Sequence, residues 1–123
     1  MKAIIDIATR SETFDHALTI ARRVDAGEPV PAADYRLHFD SARLLFSKLT
    51  PSRVELLDTL RKVGACSVYA LAKAASRNYS NVHSDVAALE TLGLIERDAV
   101  DAVFVPFDSV EIHLGRNRNA VAA

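Results

Sequence analysis

An α+β fold is predicted by three features of this 123-residue chain. Short β-branched or alternating runs stand near both ends, as strands require. Apolar residues at helical spacing fill the middle. Within that middle, two short helices are separated by a tight polar turn and followed by a hairpin pattern.

The elements can be justified in order. Residues 3–7 (Ala-Ile-Ile-Asp-Ile) favour a strand, with Ala3, Ile5 and Ile7 on one side. Ser11 offers a helix N-cap with Glu12 in the first turn, and Phe14, Ala17, Leu18, Ala21 and Val24 recur at helical spacing. Gly27 suits a helix stop, and Pro29 and Pro31 keep the helix from resuming. Tyr35, Leu37 and Phe39 alternate with Arg36, His38 and Asp40, the pattern of a half-buried strand. Asp40 or Ser41 can then cap a short helix bearing Ala42, Leu45, Phe46 and Leu49 on one face. Thr50 and Pro51 open the next helix as N-cap and first position, with Val54, Leu57 and Leu60 as its buried stripe and Gly64 as its end.

Ser67 can cap a fourth helix with an apolar face of Val68, Leu71, Ala72 and Ala75. After Ser76-Arg77-Asn78-Tyr79, a fifth helix begins near Ser80 and turns Val82, Val86 and Leu89 inward, ending at Leu92-Gly93. Leu94–Arg97 is strand-like, Asp98–Ala102 can turn, and Val103–Phe107 returns. A hairpin directly after a helix-turn-helix is a wing, so the order predicts a winged helix-turn-helix. Val110, Ile112 and Leu114 alternate with Glu111 and His113 as a final strand, which could join residues 3–7 and 35–39 in a second small sheet. The expected organisation is a strand–helix–strand extension over 1–40 for dimerisation or partner binding, a winged helix-turn-helix over 41–114, and a flexible tail over 115–123.

Composition bounds the function. Half the residues are apolar and a quarter charged, as in one folded soluble domain. The longest apolar runs, such as Leu44–Phe46, are far too short for a bilayer, and Asp6 interrupts the N-terminal stretch before it could serve as a secretion signal. These features predict a cytoplasmic protein. With 15 basic and 16 acidic residues the net charge is −1, so nucleic-acid affinity would need a focused face, doubled by dimerisation. Cys66 is a lone cysteine and cannot form an internal disulfide. Its place before a helix could lower the thiol pKa, although a buried bystander is the simpler reading.

His16, His38, His83 and His113 are widely spaced, so no metal site or cofactor is predicted. No phosphate-cradling glycine loop or nucleophile elbow points to an enzyme.

The string Ala87-Ala88-Leu89-Glu90-Thr91-Leu92-Gly93-Leu94-Ile95-Glu96-Arg97 resembles the join of recognition helix to wing in MarR-like and ArsR-like regulators. Leu49–Leu57, Asn78–Val86 and Val105–Asp108 are similar to segments of a group of winged-helix regulators often taken to be antitoxins encoded beside a small toxin. The similarity covers about residues 35–114. It implies a self-regulating repressor on its own promoter that also binds a toxin.

Residue roles follow from helix geometry. The first turn of a recognition helix enters the major groove. Asn81 is the prime candidate for a base contact, because an amide can bond an adenine edge bidentately. Arg77, Asn78, Tyr79 and Ser80 stand where the chain joins the helix and could meet phosphates. His83, Ser84 and, on the preceding helix, Lys73 complete the predicted double-stranded DNA surface. Structural alternatives stand beside these roles: Asn78 as helix cap, Tyr79 as core packing, and Asp85 as an internal partner of Arg77 or Lys73. Asp98 to Asp101 make the wing tip acidic, against the basic wing that a minor groove favours. A homodimer on a palindromic site is expected, with a protein-binding winged helix that lacks DNA affinity as the competing function.

Overall fold

β1 (Ala3–Ile7) is the centre of a three-stranded parallel sheet, flanked by β2 (Tyr35–Phe39) and β5 (Val110–His113). Ile5 stands opposite Leu37 on one side and Ile112 on the other. Ala3, Ile4 and Ile5 are all buried, as a central parallel strand covered on both faces requires. The simple alternation expected of this strand therefore fails at Ile4, which is buried, and at Ile7, which is only half-buried. The computed structural model describes residues 1–7, 17–19, 21–22, 25–27 and 34–114.

The chain divides into two compact units, Met1–Leu45 with Phe107–Ala123, and Phe46–Pro106. In the first unit the sheet is joined by a stacked pair, Tyr35 on Phe107, with ring centroids 5.3 Å apart. His38 Nδ1 meets Asp6 Oδ1 across the strand pair whose register sets these residues opposite each other. Ala17, Leu18, Thr19, Ala21, Arg22 and Asp25 are helical, and Gly27 has the positive φ (75°) of a helix stop. Ala17, Leu18 and Ala21, expected to face inward, are exposed. Helical spacing identifies an apolar face but not what covers it. Ser11, Glu12, Phe14, His16, Val24, Pro29, Pro31 and the expected tail over 115–123 lie outside the described residues.

α1 (Ala42–Lys48) is capped by Ser41, whose Oγ accepts from Leu44 N–H at 3.1 Å. It buries Leu45, but Phe46, expected on the same face, is 54% exposed, and Ala42 is exposed too. In the second unit α2 (Pro51–Val63) begins as predicted, with Pro51 at its start and Thr50 Oγ1 accepting from Arg53 N–H. Its buried stripe is Leu56, Leu57 and Leu60. Val54 is 37% exposed, so the inward face is rotated from the predicted one, with Leu56 in place of Val54. Gly64 ends the helix at φ 83°.

α3 (Val68–Ala75) and α4 (Tyr79–Thr91) follow, capped by Ser67 and Asn78. Val68, Leu71 and Ala72 from α3 and Val82, Val86 and Leu89 from α4 are buried, while Ala75 is half-buried. The hairpin of β3 (Glu96–Arg97) and β4 (Val103–Phe104) is antiparallel. Cys66 extends it: its N–H donates to Val103 C=O at 3.1 Å and its C=O accepts from Val103 N–H at 2.8 Å. This order of helix, helix, turn, helix and hairpin is the winged helix-turn-helix topology within an α+β chain.

The α4 boundary has a local cause. Gly93 takes φ 77°, its N–H donates to Glu90 C=O, and Leu94 N–H donates back to Leu89 C=O. These are the paired bonds of a Schellman stop, and its usual apolar accompaniment is here the fully buried Leu89 and Leu94. The Leu-x-x-Leu-Gly-Leu spacing thus encodes a helix end and the start of the wing together. Leu60 is fully buried among the helices of this unit, so Leu60→Ala is expected to lower the unfolding free energy by about 2–5 kcal/mol in denaturant titration. Val54→Ala, on the exposed side, should cost much less, and an equal loss would contradict the orientation of α2.

Candidate nucleic-acid interface

The turn between α3 and α4 is built from backbone bonds before any side chain is placed. Ser76 adopts a left-handed conformation (φ 54°), its N–H donates to Lys73 C=O at 3.1 Å, and Arg77 N–H donates to Ala72 C=O at 3.0 Å. This is a second Schellman-type stop, with serine where glycine is usual. Arg77 follows the left-handed residue directly, and its guanidinium reaches across to α4.

There it meets Asp85. Arg77 Nη2 lies 2.7 Å from Asp85 Oδ2, and Arg53 Nε from α2 lies 3.1 Å from Oδ1. Arg53 also donates from Nη1 to Lys48 C=O at 2.9 Å. All three side chains are largely sheltered, and one carboxylate shared by two guanidiniums leaves a net positive charge. Asp85 is thus an internal partner of Arg77, one of the alternatives read from the sequence. The role of Arg53 was missed. A basic residue in the first turn of a preceding helix gave no sign that it would reach α4.

The predicted surface residues fall into distinct environments. Asn78 is the helix cap: its Oδ1 accepts from Ser80 N–H at 2.8 Å and Asn81 N–H at 3.4 Å. Two backbone N–H donors at this helix start are therefore already bonded. Tyr79 is 50% exposed, so it does not pack in the core; its ring leans on His83 with centroids 5.9 Å apart. Ser80, Asn81, His83 and Ser84 are exposed on the first turns of α4, and no hydrogen bond from their side chains is made among the described residues. Lys73 is exposed on α3, with Nζ 5.4 Å from the ring centre of Tyr69. Tyr69, 62% exposed, was also overlooked. Its spacing of one helical turn from Lys73 was the available signal.

The wing's acidic tip has structural work. Asp98 Oδ1 accepts from Val100 N–H and Ala102 N–H, both at 3.0 Å, which fixes the turn. Asp101 lies 3.2 Å from Arg97, which also pairs with Glu90 at 2.9 Å. On α2, Asp58 sits 2.9 Å from both Arg61 and Lys62, and these cations hold its carboxyl below the usual range. No cluster of His, Cys, Asp or Glu among the described residues could hold a metal ion. No described helix is long and apolar enough to cross a membrane.

The profile of one protein family matches residues 48–112, from the last residue of α1 into β5. The chain belongs to the HVO_A0114 family. The matched span of this HVO_A0114 member contains α2, α3, α4, the hairpin and all of the predicted surface residues. Among solved structures it is similar to a MarR-like transcriptional regulator from Thermotoga maritima, at 20% identity and a TM-score of 0.42. That match covers 80% of this chain and 65% of the regulator, so the chain spans less than two thirds of the longer protein. No curated protein matches.

Two measurements check the site's construction. Asp85→Ala should destabilise this HVO_A0114 member by about 1.5–3 kcal/mol, the range for hydrogen bonds to charged groups. In a double-mutant cycle, Arg77→Ala should then cost far less in the Asp85→Ala background than in the wild type. Additive losses would mean that the ion pair contributes nothing. Burial pushes the Cys66 thiol up from its ordinary value. Because the thiolate is the nucleophile, alkylation at neutral pH should be several-fold slower in the native protein than in the unfolded chain. Equal rates would mean that the thiol is not sheltered.

Proposed function

We propose that this chain is a sequence-specific, double-stranded DNA-binding transcriptional regulator that acts in the cytoplasm as a homodimer on a palindromic site. The observation that carries this reading is the row of exposed Ser80, Asn81, His83 and Ser84 on the first turns of α4, whose side chains make no hydrogen bond among the described residues. In a winged helix-turn-helix that segment enters the major groove.

Asn81 reads a base edge, most simply an adenine. Ser80 and Ser84 bond bases or phosphates, and His83 and Tyr79 pack along the backbone as a tilted pair. Lys73 meets a phosphate. Arg77 contributes the residual positive charge of the Arg53–Asp85–Arg77 group, while Asn78 holds the helix start in position.

A finer reading makes the protein a self-regulating repressor and the antitoxin of a toxin–antitoxin pair, as the sequence resemblance implies. One observation favours a protein-facing role for part of the surface. Val100 projects almost fully exposed from a wing tip flanked by Asp98 and Asp101, a chemistry better matched to a protein than to a minor groove. A toxin could therefore be held at the wing while α4 remains available to DNA.

The decisive experiment is binding of purified protein to its own promoter and to unrelated DNA across a salt series. Promoter preference is expected, and Asn81→Ala should weaken specific binding by about 1–3 kcal/mol with the fold retained. Lys73→Ala should weaken binding to all sequences alike and reduce the salt slope by about 1. Equal weak binding to both DNAs, or an Asn81→Ala protein that binds the promoter normally, would overturn the proposal.

A further inference from the structure

We infer that the homodimer forms through the open edge of β5, which pairs antiparallel with β5 of a second copy about Ile112. This inference rests on the dimer proposed above and assigns its interface.

The ladder of the parallel sheet settles which backbone groups face outward. Ala3 N–H donates to Ser109 C=O at 3.0 Å, and Ala3 stands opposite Val110. In a parallel pair the bonding alternates, so Ser109, Glu111 and His113 turn their backbone groups toward β1. Val110, Ile112 and Leu114 then turn theirs away, along an edge that no described strand covers.

A twofold axis at Ile112 uses those groups in register. Ile112 faces Ile112 of the second copy, and Val110 faces Leu114, each as a hydrogen-bonded pair. Glu111 falls opposite His113 in the intervening non-bonded positions, where side chains approach most closely. The apolar side chains that meet are the exposed ones, Ile112 at 41% and Leu114 at 73%. A sequence of Val-Glu-Ile-His-Leu is thus self-complementary in both polarity and charge when read in the two directions.

The opposite edge of the sheet lacks this property. Tyr35 N–H donates to Lys2 C=O, so on β2 the outward backbone groups belong to Arg36 and His38. Symmetric pairing there sets Arg36 against His38 or against itself, and an exposed arginine on a sheet edge discourages such association. The second copy is therefore assigned to β5.

The test is sedimentation velocity of the full chain over a wide concentration series, for the wild type and two variants. Ile112→Pro removes an N–H that points away from β1, so the parent sheet keeps its ladder while the dimer loses bonds on both copies. Ile112→Lys sets like charges opposite each other at the axis. Each is expected to weaken dimerisation about tenfold or more with the thermal melt of the monomer retained. Should Ile112→Pro fail to fold, the lysine variant and a crosslink still decide. Mixed Glu111→Cys and His113→Cys chains should form a disulfide on oxidation, because non-bonded pairs lie about 4.5 Å apart at Cα. A wild type that is monomeric throughout overturns the dimer and this interface together. A dimer undiminished by Ile112→Lys and lacking the mixed crosslink overturns the interface alone, and promoter binding tests the DNA reading separately.

Discussion

One carboxylate sets the geometry of the helix-turn-helix. Asp85 borders the buried stripe of α4 and is held by Arg53 from α2 and Arg77 from the preceding turn. Apolar packing of Val82, Val86 and Leu89 holds α4 against its neighbours, but such packing is not directional and tolerates rotation. Two charge-assisted bonds from different elements remove that freedom. Because the arginines come from elements that also precede α4 in the chain, the same contact fixes the turn and the angle of α2 relative to it. The side chains on the first turns of α4 are thereby held at one orientation.

In a chain of net charge −1, the fold itself occupies many of the acidic side chains. In the helix-turn-helix unit Asp58, Asp85, Glu90 and Asp101 are paired to cations, and Asp98 is occupied by turn N–H groups. These acidic residues thus count for less by position than by number, while Glu55 and Glu96 stay exposed. Asp85 lies on the same helix as Asn81 and Ser84, yet its charge is outweighed locally by two guanidiniums. A tally of charges along a sequence cannot see this, since Arg53 and Asp85 are 32 positions apart.

Legibility followed the range of the interactions. Caps were readable at Thr50, Ser67 and Asn78 because the partner of a capping side chain is two or three residues away. The helix stops at Gly64 and Gly93, and the buried stripe of α4, were readable for the same reason. Ambiguity entered where a face had to be assigned to a neighbour. Val54 and Leu56 flank the Leu57 and Leu60 stripe from opposite sides, and only the packed structure chooses Leu56. Phe46 and Leu18 have core-like chemistry but stand exposed, which periodicity does not forbid. For Arg77 the sequence left two roles open, a phosphate contact and a pair with Asp85, and only the structure shows the Asp85 pair. Cys66 as a strand partner of Val103 was out of reach, since a single bridging residue carries no periodic signal.

The connectivity of the sheet has a consequence for how the chain matures as it is made. The helix-turn-helix unit is a continuous stretch, Phe46–Pro106, and its contacts can all form once that stretch has left the ribosome. The parallel sheet cannot be completed then, because β1 takes β5 as a neighbour and β5 lies beyond the whole of the other unit. Such long sequence separation makes closure slow. Until then β1 can have only β2 as a strand neighbour, whereas the helix-turn-helix unit can already be complete. The edge of β1 that β5 covers is thus the last part of the sheet to close as the chain is made.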